Sequence, residues 1–157
     1  MAIQNQEIKL PILKEKQVSL FIKREDLLHP IISGNKYRKL KYNLVEAKKL
    51  GCETILTFGG AFSNHIAATA YAGKKYGFKT IGIIRGEELS DKWEKNPNLK
   101  LAYDNGMRFH FISRRNYREK ENPAFIKNLE SAFGQFYLLP EGGTNTLAIK
   151  GCEEILE

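Results

Sequence analysis

Three short stretches hold the residues that could do chemistry. In residues 32–44, ISGNKYRKLKYNL, a Ser-Gly-Asn turn is followed at once by Lys36 and a basic, amphipathic run. Lys36 falls in the first turn of the helix this run predicts, near one edge of an apolar stripe of Leu40, Leu44 and Ala47. A lysine there feels the positive end of the helix dipole, and Arg38 and Lys39 add charge. If it is also partly buried, its pKa falls and a neutral amine becomes available. A neutral amine is what a Schiff base with an aldehyde requires. Lys48 lies near the other edge of the same stripe, so periodicity alone leaves open the plainer reading of Lys36 as a solvated charge.

The second stretch is FGGAFSNH, residues 58–65. A buried strand ends in two glycines and a helix begins at Ser63, a natural N-cap. The free N–H groups of that first turn suit a carboxylate or a phosphate. Asn64 and His65 project from the same turn and offer side-chain hydrogen bonds. His65 can donate to an anion or exchange a proton near neutral pH. A helix cap after a tight turn is the bland alternative. His29, in a loop before proline, and His110, on a strand, read as structural. The third stretch, PEGGTN at 140–145, also ends a strand and opens a helix, but it has neither the G-x-G-x-x-G nor the P-loop pattern.

The elements that must position these residues alternate. Residues 18–25 read as a strand and 35–50 as a helix stopped by Gly51. Then come a strand at 54–58, a helix at 63–77 closed by Gly77, and a strand at 79–85. A polar loop at 86–96 leads to a helix from Pro97 to about residue 104. A strand at 107–113, a helix at 123–133, a strand at 136–140 and a helix at 144–157 complete the pattern. Strands alternating with helices imply right-handed crossovers and a mostly parallel α/β sheet between helical layers. The apparent absence of a C-cap in GCEEILE suggests a piece of something longer.

With 157 residues the chain is the size of one ordinary domain. It contains no apolar run of membrane-spanning length and no signal peptide at its start, so the cytosol is the expected compartment. The net charge of +7 suggests phosphate-bearing partners, but the lysines are spread along the chain and mixed with acids, which favours a solvated surface over nucleic-acid binding. Cys52 and Cys152 are too far apart for a zinc site and read as two reduced, largely buried thiols.

Taken together, IKREDLLHPIISGNKYRKL, TFGGAFSNH, IIRGEE and PEGGTN, in this order, closely resemble the 1-aminocyclopropane-1-carboxylate deaminases and D-cysteine desulfhydrases. These are pyridoxal-phosphate enzymes of fold type II, in the tryptophan synthase β-subunit superfamily. The resemblance runs from about residue 20 to 157 and matches an N-terminal half. It implies a division at residue 50, with 1–50 opening the large, cofactor domain and 51–157 forming the small α/β domain. Lys36 matches the lysine that forms a Schiff base with pyridoxal phosphate and later shuttles protons. Asn64 matches the asparagine bonded to the cofactor's phenolic oxygen. Ser63 and His65 match positions that hold the substrate carboxylate, and Ser63 is also implied in the chemistry. His65 stands where the cyclopropane deaminases have glutamine and matches the desulfhydrases instead. The implied reaction takes a small amino acid to a 2-oxo acid and ammonia, in a homo-oligomer. The phosphate-binding loop would lie beyond residue 157, so weak cofactor binding is expected of this chain alone. Leu40, Leu44, Ile149, Ile155 and Leu156 are expected to be left exposed and to drive self-association. The alternative from another class is a non-catalytic α/β module that binds small anions at Ser63, Asn64 and His65.

Overall fold

The structure, a computed structural model, describes residues 3–32 and 34–156. Ser33 of the Ser-Gly-Asn turn and Glu157 of the last expected helix lie outside the described residues. The chain opens with β1 (Asn5–Ile8), a short α1 (Pro11–Glu15) and β2 (Leu20–Lys23), and then α2 (Asn35–Lys49). β3 (Thr54–Gly59), α3 (Asn64–Tyr76), β4 (Lys79–Arg85), α4 (Pro97–Asp104) and β5 (Met107–Ile112) follow. α5 (Arg114–Tyr117), α6 (Pro123–Phe133), β6 (Tyr137–Leu139) and α7 (Thr146–Glu153) complete it. The sequence pattern anticipates the main elements closely but overlooks β1, α1 and the single turn of α5.

Strands β3 to β6 form one parallel sheet in the order β5-β4-β3-β6. Side chains alternate along each strand, so the sheet has two apolar faces. Ile55 and Leu139 face α2 and α3, packing with Leu40, Ala47, Ala68 and Ala72. Ile84 and Met107 meet Ile66 and Ala70 of α3 and Leu99 and Ala102 of α4. Leu56, Phe58, Ile81 and Ile83 face the other way, toward Tyr117 and Leu129 of α5 and α6. The result is the expected three-layer α/β architecture. β1 and β2 pair antiparallel in a separate two-stranded sheet, and no described residue before Ile32 is buried.

The expected apolar surface on α2 needs correction. Leu40 is only 2% exposed and belongs to the core shared with β3 and α3; burying such a side chain contributes about 2 kcal/mol. Leu44 is half-buried against the same cluster. On α2 it is Val45 that is exposed, while Ile149 and Leu156 are exposed as expected.

α2 is held to α7 by three devices. The first is close approach. A Cβ added at Gly151 of α7 would lie 2.1 Å from the backbone oxygen of Arg38. The second is a buried polar network. Asn43, on the inward face of α2, accepts from Tyr137 Oη at 2.8 Å and Asn145 Nδ2 at 2.7 Å, and donates to the Lys39 carbonyl at 2.7 Å. The third is ionic. Arg38 reaches Glu25 at 3.2 Å and Glu154 at 2.8 Å, and Glu154 also takes Lys41 and the Tyr42 hydroxyl, each at 2.6 Å.

Two expectations follow. Gly151→Ala should lower stability by about 1–3 kcal/mol through overpacking, outweighing the helix-propensity gain of about 1 kcal/mol; a thermal midpoint equal to or above the parent's contradicts this. The hydrogen bonds from Lys41 and Tyr42, with help from Arg38, hold the Glu154 carboxyl down to about 2. A carboxylate depressed in the folded state contributes stability above its unfolded pKa and loses that contribution as pH falls through the folded value. Thermal midpoints of Glu154→Gln and the parent should therefore differ most above about pH 4.5 and converge as the pH falls toward 2; a constant difference would assign the clamp to shape alone.

Candidate functional site

Lys36 is the second residue of α2, and it lines a cleft of about 390 Å3 together with Asn64, Asn35, Asn98, Pro30 and Ile31. The cleft lies past the carboxyl end of β3, where ligands collect in parallel α/β sheets. The pKa of Lys36 is lowered, first by burial and next by the charge of Lys39, with Cys152 acting weakly in the other direction. This is the sign expected from the sequence, although its source differs in part. Arg38 adds little positive field, because Glu25 and Glu154 neutralise it.

Asn64 opens α3 with its side chain exposed to the cleft. Its Oδ1 accepts from Asn98 Nδ2 at 3.1 Å, and among the described residues its own Nδ2 has no acceptor. Asn98 is a residue of this cleft that sequence reasoning misses. It sits in the first turn of α4, where Asn96 caps its N–H and that of Leu99, both at 3.0 Å. Asn96-Pro97 marks that helix start, but nothing local indicates that the turn faces Asn64.

Ser63 is the N-cap that its position predicts: its Oγ accepts from the Ile66 N–H at 3.4 Å. It does not line the cleft shared by Lys36 and Asn64. The N–H groups of Asn64 and His65 find no acceptor among the described residues, so the first turn of α3 keeps donors for an anion.

His65 departs from expectation. It is 2% exposed, with Nε2 at 2.9 Å from the Thr57 hydroxyl. Burial, then the charges of Lys36 and Lys39, push its pKa down to about 3. His65 is therefore neutral at physiological pH and does not exchange a proton there. The PEGGTN loop lies against it. A Cβ at Gly143, whose φ is +67°, would come within 3.0 Å of His65 Cε1, so this position needs glycine on two counts. The loop also holds Lys39 by the Thr144 hydroxyl at 2.8 Å and the Gly142 carbonyl at 3.4 Å. It buttresses the site from behind.

His29 and His110 are structural, as read from the sequence. His29 Nδ1 accepts from the N–H groups of Ile31 and Ile32, and His110 packs edge-on against Phe133. Cys52 is buried and Cys152 half-buried, both as free thiols. Among the described residues no helix is long and apolar enough to cross a membrane.

No protein-family model matches the chain. Among curated proteins it is 38% identical over 136 residues to a Thermotoga maritima protein provisionally named 1-aminocyclopropane-1-carboxylate deaminase, covering 85% of this chain and 42% of that protein. It is 34% identical over 140 residues to the mitochondrial bifunctional D-cysteine desulfhydrase/1-aminocyclopropane-1-carboxylate deaminase of Arabidopsis thaliana, covering 84% and 34%. A crystal structure of an ACC deaminase homologue superposes with a TM-score of 0.78 at 29% identity, over 99% of this chain and 47% of the other. O-ureido-L-serine synthase, at 16% identity and a TM-score of 0.61, shares the fold. The chain thus spans less than half the length of these relatives. With the parallel sheet and flanking helices of a fold type II pyridoxal-phosphate enzyme, the chain is similar to part of the 1-aminocyclopropane-1-carboxylate deaminases and D-cysteine desulfhydrases.

Proposed function

We propose that this chain carries the lysine side of the active site of a pyridoxal-phosphate-dependent deaminase or desulfhydrase. The substrate is a small amino acid of the D-cysteine or 1-aminocyclopropane-1-carboxylate type, and the products are a 2-oxo acid and ammonia. The observation that carries this reading is the meeting of Lys36, its pKa lowered, with Asn64 in one cleft. The residues present fit the cofactor: an amine made more available by burial for an aldehyde carbon, and an amide N–H, oriented by Asn98, for a phenolic oxygen. When bound, pyridoxal phosphate supplies an electron sink for the carbanion formed at the substrate Cα.

The chain's own residues do the rest. Lys36 would hold the cofactor covalently and, once released, would move the proton at the substrate Cα. Asn64 would hold the cofactor ring through its Nδ2. Ser63 and the open N–H groups of the α3 N-terminus take the substrate carboxylate, and Ser63 also contributes to the chemistry. His65 borders this carboxylate site as a neutral ring. The same N–H donors would serve a plain anion-binding module, and the covalent chemistry of Lys36 separates that reading from this one. The reading includes a cytosolic homo-oligomer and a division of the chain near residue 50. β1 and β2 stand apart in their own sheet, while α2, on the first side of that division, packs on α3 and α7 of the second.

Borohydride trapping with pyridoxal phosphate, followed by peptide mapping, tests this. The adduct should form on Lys36, disappear in Lys36→Ala, and weaken about tenfold in Asn64→Ala, the loss of a hydrogen bond to a charged oxygen. Indiscriminate labelling of surface lysines would sink the proposal. The rate of trapping should rise with pH and reach half its plateau below the value of an exposed lysine. Removing the neighbouring charge in Lys39→Met should move that midpoint upward; a midpoint that stays in place would mean Lys39 is not the second cause of the depression.

A further inference from the structure

The four strands of the parallel sheet run the same way, so the residues that leave their carboxyl ends meet along one edge. Gly60 follows β3, Arg85 closes β4, residues 114–118 follow β5 and Glu141 follows β6. There they line a cleft of about 560 Å3 together with Lys120. Gly60, Ala61 and Phe62 border it, whereas the Lys36 cleft begins at Asn64, and no residue lines both.

The lining is strongly cationic. Arg85, Arg114, Arg118 and Lys120 share it with a single carboxylate, Glu141. Glu141 takes Lys120 at 3.5 Å, and Glu88, from outside the lining, takes Arg114 at 2.6 Å. Arg85 and Arg118 have no acidic partner among the described residues. The charges also converge. The Arg85 guanidinium carbon and Lys120 Nζ each lie 5.4 Å from the centre of the Tyr117 ring. A Cβ added at Gly60 would lie 3.4 Å from Arg85 Nη2, so Arg85 reaches across to the turn after β3. The ring offsets part of the repulsion between its two cations, but like charges gathered this closely favour an anion among them.

Tyr117 has an unmade bond at the same place. Its ring is fixed in the core, edge-on to Phe58 with centroids 6.0 Å apart, and the residue is only 3% exposed. Its hydroxyl is buried and has no hydrogen-bond partner among the described residues. A buried polar group left without a partner is costly and uncommon. Burial, and then the Glu141 carboxylate, raise the pKa of Tyr117, so the phenol keeps its proton and remains a donor. Glu141 acts on this hydroxyl without meeting hydrogen-bond geometry, and Glu141 and Tyr117 both line the cleft, which puts the unmade bond at its wall.

We propose that this cleft is a second ligand site, which binds the carboxylate or phosphate group of a small molecule through Arg85 and Arg118, with the Tyr117 hydroxyl donating to it. Guanidinium forks match the paired oxygens of either group. The volume suits a small metabolite. The cations gather about one buried ring instead of forming the stripe that a nucleic acid tracks. Arg85 and Arg118 draw the anion in, and Tyr117 fixes it. The site goes beyond the function proposed above and depends on neither Lys36 nor the cofactor.

Titrating the chain with sodium phosphate, and separately with malonate, at an ionic strength held constant with sodium chloride tests this, read by amide 1H–15N shifts and by the thermal midpoint. At least one probe should saturate at millimolar concentrations, move the signals of Gly60, Ala61 and α5, leave Asn35 and Lys36 in place, and raise the midpoint. Saturation by one probe or by both supports the site and identifies the group it takes; saturation by neither overturns it. Arg85→Gln and Arg118→Gln should each weaken binding about tenfold. Arg115→Gln, which removes a neighbouring cation that does not line the cleft, should leave it unchanged. Tyr117→Phe should match or exceed the parent's midpoint without anion, since it deletes an unpartnered hydroxyl, and should bind about fivefold more weakly. A double variant, Arg85→Gln with Arg118→Gln, that binds like the parent overturns the proposal. So do shifts centred on Asn64 and His65, which would place the anion at the start of α3. Parent affinity in Tyr117→Phe overturns the role of the phenol.

Discussion

The contact between α2 and α7 is the constraint on which the rest depends. Lys36 sits one residue into α2, and its place over the sheet is set by how closely that helix can approach its neighbour. Gly151 permits the approach because it has no Cβ to strike the Arg38 carbonyl. With the backbones that close, Asn43 reaches both Asn145 and Tyr137, and Arg38 reaches across to Glu154. Each buried hydrogen bond contributes about 1 kcal/mol, but its larger effect is on alternatives. A shifted α2 would leave Asn43 buried with unmet bonds, which costs more than the bonds return when made.

Electrostatics in the site follow from that placement. The strongest cation on α2, Arg38, is neutralised by two carboxylates that face away from the cleft. Lys39 is tethered to the PEGGTN loop through the Thr144 hydroxyl. Lys36 is left half-buried with one cationic neighbour, which favours its neutral form. His65, deeper still, loses its charge altogether. The family resemblance names these residues, but burial and neighbouring groups decide which of them carry a proton.

Much of this was legible in the sequence, and what was not shares a cause. The helix starts at Ser63 and at Asn96-Pro97 and the glycine stops are local signals, written in residues next to each other. The parallel sheet follows from alternation. Asn43 is different: it falls on the apolar stripe between Leu40 and Ala47, and periodicity marks a polar residue there as an interruption of the buried face. Its partners are about a hundred residues away, Tyr137 and Asn145. The hydrogen-bond partner of His65, Thr57, is itself bonded to the Leu139 carbonyl, far along the chain. The pairing of Asn98 with Asn64 likewise joins two helices. Local chemistry is readable along the chain; proton positions and polar burial belong to tertiary contacts.

The separation in sequence of α2 and α7 also bears on the order of folding. Arg38 and Glu154 lie 116 positions apart. Closing so long a loop costs chain entropy before the contact returns anything. The neighbouring β3–α3–β4 unit, whose contacts are short-range, can form without it. Docking of α2 on α7 is therefore a late step in forming this unit, and by the same token an early one to reverse in local unfolding. A chain caught partway would hold its sheet intact while its reactive lysine drifted free of Asn64 and His65. Chemical competence at this site is thus a late property of folding, appearing only when α2 and α7 have met.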